Sequence, residues 1–173
     1  MKVGQEPPWD VSLNPTLEGL LRTRAGYYKN ALISESQGYG IGAFAYYRRI
    51  VEEIIDDLLD DIPNLMADEE RNEYLKALEE AKQTNVTQKK IELVKDKLPA
   101  ILRPGGRNPL RRLHSTLSGG LHGETDEHCM ELAEAVRETL VFLVTQIETT
   151  KYASEHYLDS IDRLQDRGKD STS

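Results

Sequence analysis

Between Gln88 and Arg112 the 173-residue chain gathers Lys89, Lys90, Lys95, Lys97, Arg103, Arg107, Arg111 and Arg112 against only Glu92 and Asp96. Eight cations less two acids leave +6 in a chain of net charge −8, and so −14 on the remainder. From Arg103 to His114 there is no acid at all. Guanidinium and ammonium groups collected in this way bind phosphate, so the stretch reads as a nucleic-acid face carried by Arg103, Arg107, Arg111 and Arg112. If a helix opens at Asn108, Arg107 and Arg111 stand one turn apart, and a turn at Pro104 returns Arg103 to the same end. The plainer reading is a basic surface paired with acidic helices of the same fold or of a second subunit.

Two other arginines stand out by position. Arg24 falls in the middle of an apolar helical face, and Arg48 borders the stripe of the next helix with Glu52 one turn on. They would line a polar cavity for an anionic ligand, or form satisfied ion pairs that fix helix register. His122, Glu124, Asp126, His128 and Cys129 crowd eight positions. Their spacing fits no standard zinc pattern, and acids ahead of a helix serve as N-terminal caps, so no metal is assigned. No cofactor is assigned either. His114 shares a stripe with Leu110, Leu113 and Leu117 and reads as a hydrogen-bonded core histidine. No Gly-Lys-Ser/Thr phosphate loop is present, and no serine has a nucleophile context.

The elements that must position these residues are helical. From Tyr46 to Ile62 the residues alternate in pairs, apolar then charged, a repeat of four against the helical period of about 3.6. The apolar stripe therefore drifts by about 40° per repeat, which suits a central helix touching one partner early and another late. This central helix is expected over Gly40–Ile62 and stops before Pro63. A first helix is expected from Asn14-Pro15 to about Gln37, burying Leu17, Leu20, Leu21, Tyr27, Tyr28, Ala31 and Leu32. Gly38, Gly40 and Gly42 predict a tight turn or a close helix contact. A polar third helix is expected from a cap at Asp68 to about Gln83, and a fourth from a cap at Thr87 to about Lys97. Asn108-Pro109 opens a fifth, ending near Leu117. A long sixth helix is expected from Thr125 or Asp126 to about Tyr152, and a short amphipathic one over Ser154–Gln165 with Tyr157, Leu158, Ile161 and Leu164.

Residues 1–13, with Pro7, Pro8 and Trp9, are expected as an extended N-terminal arm in which Trp9 pins the arm to the body. Residues 14–166 form a single domain, and 167–173 a disordered tail. The acidic balance disfavours generic nucleic-acid or membrane binding outside the basic stretch. Cys129 is the single cysteine, so no disulfide forms within the chain. The longest apolar run, Leu140–Val144, is far short of the roughly 20 residues that span a bilayer. Residues Met1–Asp10 lack the apolar core of a signal peptide, and a cytoplasmic setting is expected.

Two segments carry a resemblance: Tyr39-Gly40-Ile41-Gly42-Ala43-Phe44-Ala45-Tyr46-Tyr47-Arg48-Arg49-Ile50-Val51-Glu52, and Leu117-Ser118-Gly119-Gly120-Leu121-His122-Gly123 followed by Asp126-Glu127-His128-Cys129. Together they resemble uncharacterised bacterial helical proteins related to the HEPN superfamily (higher eukaryotes and prokaryotes nucleotide-binding domains). The resemblance implies an all-α antiparallel bundle of about six helices, commonly a homodimer, in toxin–antitoxin, restriction or phage-defence systems. Active HEPN ribonucleases place an arginine ahead of a histidine with four to six residues between them. His122 stands at the histidine place, but Leu117, Thr116 and Ser115 stand where the arginine would be. The resemblance thus implies a non-catalytic binding or dimerisation module. Its rival is a divergent, metal-independent ribonuclease using His122 with a displaced Arg112 or Arg111.

Overall fold

The computed structural model describes residues 18–19, 21, 24–119 and 123–170, of which 162 and 164–170 are described by backbone alone. Six α-helices occur among them: α1 Ala25–Ser36, α2 Gly40–Asp61, α3 Asp68–Lys82, α4 Thr87–Val94, α5 Pro109–Leu117 and α6 Asp126–Asp170. Short 3-10 turns over Ile62–Leu65, Lys95–Lys97, Ala100–Leu102 and Pro104–Gly106 make several of the joins. No strand occurs among the described residues, and the chain is the all-α bundle that its periodicity predicts.

The paired pattern of α2 makes it the central helix. Phe44, Tyr47, Ile50, Val51, Ile54, Ile55, Leu58 and Leu59 are all buried, and the charged pairs between them face outward or toward polar partners. α1 folds back antiparallel after a turn at Gly38, whose φ of +78° a side chain would resist. Tyr28 then meets Tyr47 edge-on at 5.6 Å, and Arg24 reaches Glu53.

α6 runs beside α2 in the same direction. Gly40 lies against the Asp126 carbonyl and the Met130 amide at one end, and Ile54 and Leu58 share a cleft with Val144 and Ile147 at the other. The join at the first end is tight for a reason visible in the residue type. A Cβ on Gly40 would sit 1.9 Å from the Asp126 carbonyl oxygen and 2.6 Å from the Met130 amide nitrogen. The Asp126 carboxylate, in turn, accepts the Ile41 N–H at 2.9 Å, so α6 supplies the cap that α2 lacks in its own sequence.

Residues 62–125 return the chain from the far end of α2 to the start of α6. Within that return α3 and α4 are antiparallel, with Lys97 facing Glu73. α4 and α5 are antiparallel too: Gln88 Nε2 donates to the Leu117 carbonyl at 3.1 Å, and Asn108 Nδ2 donates to the Lys95 carbonyl. Among the described residues the bundle therefore combines antiparallel neighbours with a parallel pair, α2 and α6, at its heart.

Several boundaries differ from the sequence reading. α1 opens at Ala25 with Arg24 as its N-cap, although Glu18, Gly19 and Leu21 are helical too. Tyr27, expected inside, is 39% exposed and stacks on Tyr46. Asp68 and Thr87 are the first helical residues of α3 and α4 and do not cap them; the N-cap positions are Ala67 and Val86, without side-chain hydrogen bonds. Asp68 still favours the helix dipole, with Glu69 and Glu70 in the same turn. α3 is less peripheral than its polarity suggests, because fully buried Tyr74 donates to the Leu59 carbonyl at 3.1 Å. The break expected near Tyr152 is absent, and one helix runs unbroken from Asp126 to Asp170, taking in 167–170 from the expected tail. Lys151 to Glu155 include neither proline nor glycine, so loss of the apolar stripe is no reason for the backbone to stop. The arm 1–13, the cap at Asn14-Pro15, Leu17, Leu20 and residues 171–173 lie outside the described residues.

Candidate nucleic-acid interface

The basic segment is built on a braced turn. Buried Leu98 and Leu102 anchor it to the core, and the chain between Arg103 and Arg107 reverses through Gly105 and Gly106, at φ +58° and +74°. The Gly106 N–H donates to the Arg103 carbonyl at 3.0 Å and the Arg107 N–H to the Pro104 carbonyl at 3.1 Å. Asn108 then does two things that few other residues could. Its Oδ1 accepts the Arg111 N–H at 3.0 Å as the N-cap of α5, and its Nδ2 ties the cap to α4. Pro109 takes the first helical position, where a missing N–H costs nothing. Arg103, Arg107, Arg111 and Arg112 all emerge exposed from this scaffold.

The eight cations of the stretch divide into two sets. Lys90 is 8% exposed and points inward, its Nζ 2.5 and 2.6 Å from the two carboxylate oxygens of Asp56. Lys95 pairs with Glu92, Lys97 lies 3.8 Å from Glu73, and Arg111 Nε lies 2.7 Å from Asp96. The Lys95 hydrogen bond holds the Glu92 carboxyl below its usual range, and His114 at 3.2 Å adds to this. Lys89, Arg103, Arg107 and Arg112 have no ion-pair partner among the described residues. The internal pairing of the plainer reading thus accounts for half of the stretch; of the other half, Arg103 and Arg107 flank the braced turn, Arg112 stands on α5 and Lys89 on α4.

The remaining candidates lie elsewhere. Arg24 bridges α1 to α2, with Nε 3.2 Å from Glu53 and Nη1 3.8 Å from Asp57. Arg48 pairs with Glu52 at 3.2 Å and donates from Nη1 to the Gly119 carbonyl at 3.4 Å. Arg48 thus serves the end of α5 opposite Arg107, about 13 Å along a nine-residue helix. His122 lies outside the described residues. Arg48 is the arginine seen touching the segment that leads to it, whereas Arg112 lies two turns earlier on α5, its carbonyl taken by Ser115 and Thr116. His128 is exposed between Glu124 and Glu131, and burial, with Glu124 and Asp126 adding, pushes the Cys129 thiol up. Among the described residues no group of three His, Cys, Asp or Glu side chains is gathered as a metal would require. Nor is any helix among them long and apolar enough to cross a membrane.

Two features escape a sequence reading. Where α1, α2 and α6 meet, the Glu35 carboxylate accepts the Tyr47 hydroxyl at 2.9 Å and faces Arg137 Nε at 3.2 Å. Burial works against the Arg137 charge, and Glu35 more than offsets it. Burial, then the Glu35 charge and its hydrogen bond, push the Tyr47 phenol far above its ordinary value. The second feature is a cleft of about 360 Å³ floored by Ile54, Leu58, Val144 and Ile147 and edged by acids of α2. The only sequence signal for it is the paired aspartates of α2, which read equally as a solvated face. No family model, no curated protein and no solved structure matches this chain.

Proposed function

We propose that the chain is a non-catalytic, HEPN-like binding and dimerisation module whose ligand is RNA, held at the Arg103–Arg112 turn, in a cytoplasmic defence or nucleic-acid-processing system. One observation supports this most: Arg103 and Arg107 flank a hydrogen-bonded turn and Arg112 stands on the helix it leads into, with no acid paired to any of the three among the described residues. A braced turn presents its cations without the ordering cost of a loose loop, and phosphate is the partner whose geometry guanidinium fits best. The −14 carried elsewhere repels RNA, so binding is modest and confined to this face.

Fluorescence titration of short single-stranded and duplex RNA tests the assignment. Three neutralised phosphates give a slope of log K against log salt of about −2 for single strands. Arg103→Glu with Arg107→Glu removes binding while leaving the fold intact, because neither side chain is buried. Equal binding by that variant, or none by the parent at low salt, overturns it. Incubated RNA is recovered whole; cleavage that His122→Ala abolishes would establish the ribonuclease instead.

The proposed homodimer is checked on the same sample. Light scattering gives twice the chain mass of 19.6 kDa at tens of micromolar, roughly the range in which moderate dimers persist. The mass of a single chain removes the dimer from the proposal.

A further inference from the structure

The face assigned to RNA is small and set among acids. Arg103 and Arg107 flank one turn, and Arg112 is the fourth residue of α5. Beside them Asp96 pairs with Arg111, Glu92 with Lys95 and His114, and Glu73 lies near Lys97; all three acids are exposed. A nucleic-acid duplex is a stiff rod with about one charge per 1.7 Å of its axis. Laid on this face it carries further phosphates past Glu92 and Asp96 and toward the −14 borne elsewhere. A single strand bends within a few nucleotides. It can bring three phosphates to three arginines and turn the rest of its charge away.

The turn also presents a contact that phosphate does not use. Ile101 is 46% exposed and stands two residues before Arg103, in the 3-10 turn Ala100–Leu102. Its position is fixed. The Leu102 N–H donates to the Pro99 carbonyl at 3.0 Å and the Arg103 N–H to the Ala100 carbonyl at 2.9 Å. Leu98 and Leu102, on either side, are buried, so the backbone that anchors them holds Ile101 outward. Beyond Arg103, Pro104, Gly105 and Gly106 are exposed, and the two glycines add no side chain between Arg103 and Arg107. Bases in a duplex are stacked on one another and have no face left for an apolar side chain. An unpaired base does, and a guanidinium without a carboxylate partner can also lie flat against it.

We infer that the Arg103–Arg112 face takes single-stranded RNA in preference to duplex, with one unstacked base resting on Ile101 and the arginines holding the phosphates beside it. The preference presupposes that RNA is the ligand, as proposed above, and decides which form of it is held. Ile101 is then the residue that sets specificity, and the arginines supply affinity for either form.

Fluorescence titration of the full chain at low salt compares a labelled oligouridylate with an RNA duplex of the same length. The single strand is expected to bind about tenfold more tightly. Ile101→Ala weakens single-strand binding about fivefold and leaves the duplex unchanged. Its salt slope stays that of the parent, because no phosphate contact is lost. Ile101→Trp gives the base a flat ring and tightens single-strand binding about fivefold. Thermal melts confirm that both variants keep the fold, as expected for a side chain close to half exposed. A duplex bound as tightly as the single strand overturns the inference and leaves RNA as the ligand. So does single-strand binding that neither variant changes. Binding of neither RNA by the parent removes the RNA reading and this inference with it.

Discussion

Gly40→Ala lowers the stability of the fold by about 3 kcal/mol, at the upper end for overpacking and equivalent to a fall in melting temperature of about 6–12 °C. The added methyl has nowhere to go. It would overlap the Asp126 carbonyl and the Met130 amide, both backbone atoms, so no rotamer change relieves it and α2 must part from α6. The Ile41–Asp126 cap is lost in the same movement. Gly42→Ala is the control. Its nearest neighbour would be the Ser34 hydroxyl at 3.5 Å, ordinary contact, and alanine is the better helix former by up to about 1 kcal/mol. Thermal melts of the two variants should move in opposite directions. A Gly40→Ala protein as stable as its parent would mean that α2 and α6 do not meet at this point.

Glu35→Ala costs about 2–4 kcal/mol, because it leaves the buried Tyr47 hydroxyl and the half-buried Arg137 without their shared acceptor. The cost stays below that of a full buried ion pair because the Arg137 side chain is 30% exposed and water recovers part of the loss. Replacing all three groups together, as Glu35→Leu, Tyr47→Phe and Arg137→Met, should recover most of the stability, since no orphaned polar atom then remains. Denaturant melts of the single and triple variants separate the two outcomes; a triple variant no better than Glu35→Ala would show that the network acts through shape and not through satisfied charge.

The same burial sets an alkaline limit. Burial raises the phenols of Tyr28, Tyr47 and Tyr74 above their value in the unfolded chain, which is about 10. Below that pH both states hold these protons and the stabilisation is complete. Above it the unfolded chain gives them up first, so stability falls as pH rises, by up to about 1.4 kcal/mol per pH unit for each phenol. Tyr47→Phe should make that fall shallower by one proton.

What the sequence reveals here is local. The paired alternation over Tyr46–Ile62 is a statement about one helix, and α2 follows it within a residue of the expected end. Asn108-Pro109 is a cap and first turn within four residues, and the structure keeps both. Gly40 announces a close approach, although nothing near it says that Asp126 is the neighbour. Charge is harder to read. Lys90 belongs to the basic run by sequence and to the core by position, and its placement between buried Thr87, Ile91 and Val94 was the available signal. Glu35 and Arg137 stand 102 positions apart on two different helices, and no spacing rule joins them. The direction of α6 relative to α2 is equally hidden, because a stripe has no sign: parallel and antiparallel packing bury the same residues.

That shared direction bears on how the chain is made. α1 and α2 meet through a tight turn and can pair as soon as both have been synthesised. The contact between Ile41 and Asp126 spans 85 positions, and the excursion through α3, α4 and α5 must be complete before it closes. At a translation rate of about 5–20 residues per second, α2 waits roughly 4–17 seconds for the helix that covers it. During that interval Ile54 and Leu58 lack the helix that lies beside them, and Asp56 and Asp57 between them carry the charge that keeps one nascent chain from meeting another.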